Sequence, residues 1–202
     1  MSEQETLSQS RVQQIHAAAL TCFARKGYHK ATMDDIVAES GLSKGALYWY
    51  FPSKKDLFIS LLEEMMRGYG EEWQMLVSTE EMGAVEKLAA SLAFFKSEID
   101  RMAPLVNILL EAWALLRHDE AVANQMKEFY LPFVNLIEGI LEQGMDEGVF
   151  KVESPADTAA VIVTLFDGIL LATASGIEVG DWGAIIEAAE KLILRGLEAG
   201  HT

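Results

Sequence analysis

The chain has 202 residues, half of them hydrophobic, enough for one large domain or two small ones with a real core. It carries 31 Asp and Glu against 16 Lys and Arg, and the net charge of −15 argues against nonspecific nucleic-acid binding by the whole surface. A single cysteine, Cys22, excludes an internal disulfide and fits a reducing cytoplasm. The N-terminus (Ser2, Glu3, Gln4, Glu5) lacks the basic-then-apolar run of a secretory leader. The longest apolar candidate, Ala159 to Ala174, is interrupted by Thr164, Asp167 and Gly168, so no membrane span is expected. The charge is unevenly placed: residues 1–60 sum to +1 and residues 61–202 to −16. From Ser40 to Lys55 there are lysines and no acid.

The pattern is helical throughout. Leu7 to Lys26 places Val12, Ile15, Ala19, Cys22 and Phe23 on one stripe, with Gly27 as the residue that ends the helix. Thr32 caps a second short helix, with Asp34 and Asp35 in its first turn, running to about Ser40. Gly41-Leu42-Ser43 turns the chain, and Ser43 caps a third helix. After Pro52-Ser53 a long helix runs from Lys54 to Val77, about 35 Å at 1.5 Å per residue. Further helices are expected over Ala84–Arg101, Pro104–Arg117, Glu120–Glu147, Pro155–Ser175 and Gly183–Glu198. Pro132 should kink or split the third of these, and Ser154 with Asp157 reads as a capping pair. Nothing alternates with period two for long enough to form a sheet.

Two short helices joined by a three-residue turn containing glycine make a helix-turn-helix, with Ile36, Val37, Leu42 and Leu47 packing the pair on the first helix. The second helix of such a unit enters the major groove with its N-terminal end first, here Ser43, Lys44, Gly45 and Ala46. Lys44 can donate to bases or phosphates, and Ala46 can touch a thymine methyl. Tyr48, Trp49 and Tyr50 are consecutive, and successive helical residues point about 100° apart. They cannot all face one core, so at least one large ring lies at the surface. Tyr48, Tyr50 and Lys54 suit phosphates.

Residues 10–60 resemble the N-terminal domain of the TetR (tetracycline-repressor) family of bacterial transcription regulators. The resemblance rests on Phe23-Ala24-Arg25-Lys26-Gly27-Tyr28, on Thr32-Met33-Asp34-Asp35-Ile36-Val37-Ala38, and on the run from Gly41 through Tyr48-Trp49-Tyr50-Phe51-Pro52-Ser53-Lys54 to Leu57. It implies an all-α chain: a three-helix DNA-binding domain over 1–53 and a helical effector-binding and dimerisation domain over 54–202. It implies that Thr32, Ser43, Lys44, Gly45, Tyr48, Trp49, Tyr50 and Lys54 line the DNA, with Tyr48, Tyr50 and Lys54 on phosphates. The family often has His where this chain has Tyr50, which can also donate to a phosphate.

The acidic remainder carries no identifying motif. In Pro155–Gly176 a small-residue row, including Ala160, Thr164, Gly168 and Ala172 with Leu171 beside it, forms a groove for a second helix. The last helix offers Ile186, Ala189, Ile193 and Leu197. Two such helices per subunit would build a four-helix interface about a two-fold axis, as the resemblance implies, and a homodimer reads a palindromic site. Trp73, Phe94, Trp113, Phe129, Phe133 and Phe166, punctuated by Asn107, Glu111 and Asp167, could line an apolar effector pocket. Glu111 and Asp167 would favour a cationic ligand there. His118 lies far from the other histidines, so no metal or cofactor site is expected. The reading is a cytoplasmic, DNA-binding, homodimeric repressor released by a small apolar or amphipathic effector. Its alternatives are a helical protein-interaction module or an enzyme using the C-terminal pocket. No nucleophile elbow or phosphate-binding glycine loop supports an enzyme.

Overall fold

The helical pattern becomes eight helices among the described residues of the computed structural model, which describes residues 3–79, 81–102, 106, 108, 110, 111, 114, 119–177 and 179–198. They are α1 (Glu3–Lys30), α2 (Met33–Ser40), α3 (Lys44–Tyr50), α4 (Lys54–Val77), α5 (Ala84–Met102), α6 (Glu120–Asp146), α7 (Pro155–Ala174) and α8 (Trp182–Leu197). No sheet forms among the described residues; a lone bridge pairs Phe150 with Glu198. The helix expected over Pro104–Arg117 lies largely outside them, and its described positions 106, 108, 110, 111 and 114 are helical.

The chain divides into two compact units: Met1–Arg67 with Asn107–Gln125, and Gly68–Val106 with Met126–Thr202. These boundaries fall elsewhere than 53/54. Leu57, Phe58, Leu61 and Leu62 of α4 are all buried, and the Phe58 ring lies 5.7 Å from Phe23 and 4.5 Å from Tyr28. The first part of α4 is therefore core for the first unit.

Within the first unit α1 packs on α2 and α2 on α3. Ile15, Ala19, Cys22, Phe23, Ile36 and Leu47 fill the interior, as their spacing predicts. The break at Gly27 is real, with φ 73° and ψ 158° inside α1. That region of backbone conformation is essentially reserved for glycine. A Cβ there would also stand 2.8 Å from Glu111 Oε1. Thr32 and Asp35 then close a reciprocal capping box at the start of α2: Asp35 N donates to Thr32 Oγ1 at 3.1 Å, and Thr32 N to Asp35 Oδ2 at 3.0 Å. Gly41 ends α2 in the left-handed region (φ 67°), and Ser43 Oγ caps α3 by accepting from Ala46 N at 3.2 Å.

In the second unit α5 packs on α7 and α8, and α7 on α8. Trp73, Leu88, Leu92, Ile137, Leu141, Ile162 and Phe166 form its interior. Ser154 caps α7 and Asp181 caps α8, each accepting from a backbone N–H three residues on. Of the kink or split expected at Pro132, the split does not occur, since α6 is a single helix through it. Pro132 and Glu128, whose carbonyl loses its partner, are both exposed, so water can satisfy the freed oxygen. Helix α7 is long and apolar enough to cross a membrane by length and composition, yet only 28% of its apolar window is buried.

Candidate nucleic-acid interface and effector core

Helix α3 buries Leu47 and turns its other residues outward. Ser43, Lys44 and Gly45 are exposed, and Ala46 and Tyr50 are half-buried. Tyr48 is 39% and Trp49 75% exposed, and the Trp49 ring meets Tyr50 edge-on at 4.6 Å. So large an uncovered indole gains nothing for the fold. Gly45 carries the same message. Glycine in a helix costs about 1 kcal/mol relative to alanine, yet a Cβ at Gly45 would meet nothing within 4 Å. Packing within the chain does not require glycine there.

Lys44 Nζ lies 2.7 Å from Asp34 Oδ1. Hydrogen bonding to that carboxylate raises the lysine above its ordinary value. The neighbouring Asp35 is held down to about 2, first by its hydrogen bond from Lys26 and then by the Thr32 backbone. Thr32 and Ser43 are both exposed, with their oxygens already accepting cap hydrogen bonds, which leaves each hydroxyl proton available to an acceptor.

Lys54 departs from its expected role. Its ammonium donates to the carbonyls of Tyr28 at 2.7 Å, Ala31 at 2.9 Å and His29 at 3.3 Å, and sits 4.4 Å from the centre of the Tyr28 ring. An ammonium has three N–H donors, and all three are used. Desolvation lowers its pKa, while the charge of Glu111 works the other way. The expected phosphate contact therefore gives way to a clamp on the C-terminal end of α1, where free carbonyls and the dipole favour a cation. His16 is buried behind the same unit, 5.5 Å from Phe51, with Nε2 3.1 Å from Ser60 Oγ. Burial lowers its pKa, with Glu64 opposing.

The second unit gathers the aromatic candidates. Trp73 stacks on Phe133 at 5.7 Å and Phe94 at 6.4 Å, and Phe95 stacks on Phe166 at 4.6 Å. Tyr69, which the sequence reading missed, lies 5.1 Å from Phe94 and 5.6 Å from Phe133. Its four-residue spacing from Trp73 was the available signal. Trp73 Nε1 donates to Ser91 Oγ at 2.9 Å, so its polar edge is satisfied in the core. The space bounded by Trp73, Ser91, Phe95 and Phe166 has no room for a water molecule. Phe129 is buried in the same unit. Asp167 is pushed up to about 6 by burial, against a hydrogen bond from the Tyr130 hydroxyl. Burial and then the charge of Glu98, ahead of Asp167, raise the Tyr69 hydroxyl. Asn107 and Trp113 lie outside the described residues. Glu111 belongs to the first unit, beside Gly27.

On the expected dimer face, Ala160, Thr164 and Gly168 are exposed and Leu171, Ala172 and Ile193 half-buried. Ile186, Ala189 and Leu197 are buried within the chain and cannot meet a second subunit. They occupy the side of α8 turned to its own helical neighbours. The open sides carry Val161 and Leu165 on α7 and Leu192, 73% exposed, on α8.

The profile of bacterial regulatory proteins of the tetR family matches residues 15–61, and that of the C-terminal part of BetI-type transcriptional repressors matches residues 85–198. This chain belongs to the TetR family. It is 31% identical over 170 residues to the uncharacterised HTH-type transcriptional regulator YfiR of Bacillus subtilis, covering 79% of this chain and 78% of that one. Among solved structures, a transcriptional regulator from Saccharomonospora viridis in complex with choline is 20% identical with a TM-score of 0.83, covering 96% of this chain and 100% of that one. The regulator FadR of Bacillus subtilis in complex with stearoyl-CoA is 24% identical with a TM-score of 0.76, covering 91% and 98%. As a TetR-family protein the chain is a DNA-binding transcriptional regulator, and its helix-turn-helix is the surface just described.

Two consequences can be measured. Lys54→Met removes three charge-assisted hydrogen bonds and should lower stability by on the order of 2 kcal/mol in urea unfolding. For Asp167, a folded value of about 6 against 3.8 means that the folded chain holds the proton more tightly. Its contribution is therefore present below about pH 4 and lost as pH rises through about 6. Asp167→Asn should stabilise the protein by about 1–3 kcal/mol at pH 8, with the gain gone by pH 4 in matched urea titrations.

Proposed function

We propose that this chain is a homodimeric, cytoplasmic transcriptional repressor that reads a palindromic operator through residues 1–53. A small apolar or amphipathic effector, bound within 54–202, releases it. The observation that carries the DNA-reading part is the outward face of α3: an uncovered indole, two phenols, a lysine and a glycine that the fold does not need. Ser43, Lys44, Gly45 and Ala46 enter the major groove, while Thr32, Tyr48, Trp49 and Tyr50 meet the backbone.

The apolar side of α7 supports the dimer. Val161, 66% exposed, and Leu165 stand beside small residues at 160, 164 and 168 on this helix, α8 exposes Leu192, and a second copy would cover them. A dimer sets two recognition helices about 34–36 Å apart, one turn of duplex.

For the effector, the aromatic core around Trp73, Phe94, Phe133 and Phe166 is the favoured seat, with Phe129 in the same unit and the Asp167–Tyr130 pair as its polar end. A closed core accepts a ligand only by opening, so the effector prefers a second state. That difference in affinity is what moves the equilibrium, and DNA must weaken effector binding by the same factor. Of the two structural neighbours, one binds choline, a compact quaternary ammonium, and the other stearoyl-CoA, a long acyl chain on a charged head. A cationic head would take Asp167 as its counter-ion.

A gel-shift series against the upstream region of the protein's own gene tests the repressor. Wild type should bind in a salt-sensitive way. Lys44→Ala should cost on the order of tenfold on the operator, and Tyr48→Phe should weaken all duplexes by a similar few-fold factor. Absence of any salt-sensitive binding would sink the reading. Light scattering at micromolar concentration should give twice the chain mass, and Val161→Glu with Leu192→Glu should give the monomer.

A further inference from the structure

Asp34 is an acid on the surface that would meet a polyanion; it adds a favourable charge to the first turn of α2 but does not cap the helix. The capping of α2 belongs to Asp35, which bonds Thr32 N and Lys26. The side chain of Asp34 is 70% exposed, and among the described residues its one polar partner is Lys44, 2.7 Å away. Lys44 is 61% exposed and opens the recognition helix, so the pair bridges α2 to the groove-entering end of α3. Facing DNA, a carboxylate repels phosphates, unless it accepts a hydrogen bond that a base donates.

The bases supply such an edge. In the major groove a G·C pair presents guanine N7 and O6 as acceptors, followed by the cytosine N4 amino group as donor. The Lys44–Asp34 pair presents the complement in the same order: ammonium donors, then a carboxylate acceptor a hydrogen-bond length away. An ammonium has three N–H groups, so it can hold Asp34 with one and address guanine with the others. We propose that Asp34 and Lys44 together read one G·C pair in each half-site, Lys44 donating to guanine N7 and O6 and Asp34 accepting from cytosine N4. An A·T pair breaks this order: adenine N7 accepts, but the N6 amino donor then faces the ammonium where guanine offers O6, and thymine O4, an acceptor, stands where the carboxylate needs a donor. The carboxylate also lowers affinity for duplexes that lack the G·C pair, because phosphates repel it and nothing repays its desolvation. The specificity of the operator contact thus comes from an acid as well as from a base.

The proposal rests on operator reading by α3, and its test separates the two. Wild-type protein selects binding duplexes from a randomised pool, and affinities are then measured on the consensus and on its single base-pair variants. Asp34→Ala, Lys44→Ala and the double variant are measured on the same set, with thermal melts confirming that each is folded. The consensus should hold a G·C pair whose replacement by A·T costs wild type on the order of tenfold. Each single variant should lose that discrimination, and the double variant should lose no more. Asp34→Ala should at the same time bind unrelated duplex more tightly than wild type. If Asp34→Ala raised affinity by one factor on every duplex and kept the base preference, the acid would only damp charge and the proposal would fall. A consensus with no G·C position dependent on both residues would overturn it while leaving operator reading intact. No consensus at all would overturn both.

Discussion

The DNA-reading unit depends on how the end of its first helix is satisfied. Gly27 breaks α1 with a backbone conformation that only glycine adopts readily, and the carbonyls beyond the break have no helical partners. Lys54 supplies them, donating to Tyr28, His29 and Ala31 while its charge rests on the Tyr28 ring. One side chain from the start of α4 thus fixes the last turn of α1 and the chain that leads into α2. Thr32 and Asp35 follow at once with their capping box, so the placement of α2 is set within a few residues of the clamp. Leu57 and Phe58, one turn along α4, bury against the same corner. For this reason the compact unit runs past residue 53: the start of α4 is a wall of the DNA reader.

Electrostatics then sorts the surface. A chain with a net charge of −15 that binds DNA must confine its attraction to one place. Residues 40–55 carry lysines and no acid, but the structure spends those lysines unequally. Lys54 is taken by carbonyls, and Lys55 by an ion pair with Asp119. Lys44 alone of the three stands at the N-terminal end of α3, and it stands paired with Asp34. Little net positive charge remains for nonspecific attraction, and contacts that depend on geometry gain weight. The aromatic residues of α3 fit that arrangement, since phenol and indole donate single directed hydrogen bonds where lysine offers a point charge with three rotatable donors.

The second unit shows the opposite economy. Its centre is an aromatic cluster, with Trp73 bonded to Ser91 and no room for water in the space those two share with Phe95 and Phe166. The polar groups of this unit, Tyr69 buried and Tyr130 and Asp167 half-buried, come from three different helices. A carboxyl pushed up to about 6 by burial costs stability when ionised, so it is retained at the expense of the fold. Polar groups kept in a core at such a cost are where ligand chemistry is to be sought.

Much of this was legible in the sequence. The order of helices, the Gly27 break, the Thr32 and Ser43 caps and the exposed aromatics of α3 are local, and local patterns write them directly: periodicity, capping oxygens, and rings that cannot share one face. Pro132 misled as to a split because its effect depends on whether the freed carbonyl reaches water, which only the exposure of α6 reveals. Ile186, Ala189 and Leu197 misled because an apolar stripe does not say whether it meets its own chain or another. By itself the sequence determined an all-helical chain with a helix-turn-helix at its start, since both follow from spacing along the backbone. The tertiary structure alone decided that Lys54 clamps α1, that Asp34 holds Lys44, and that Asp167 shares its proton balance with Tyr130. Each joins residues distant in sequence or on different helices, and the direction of a side chain there is fixed by packing and desolvation, not by the residues beside it in the chain.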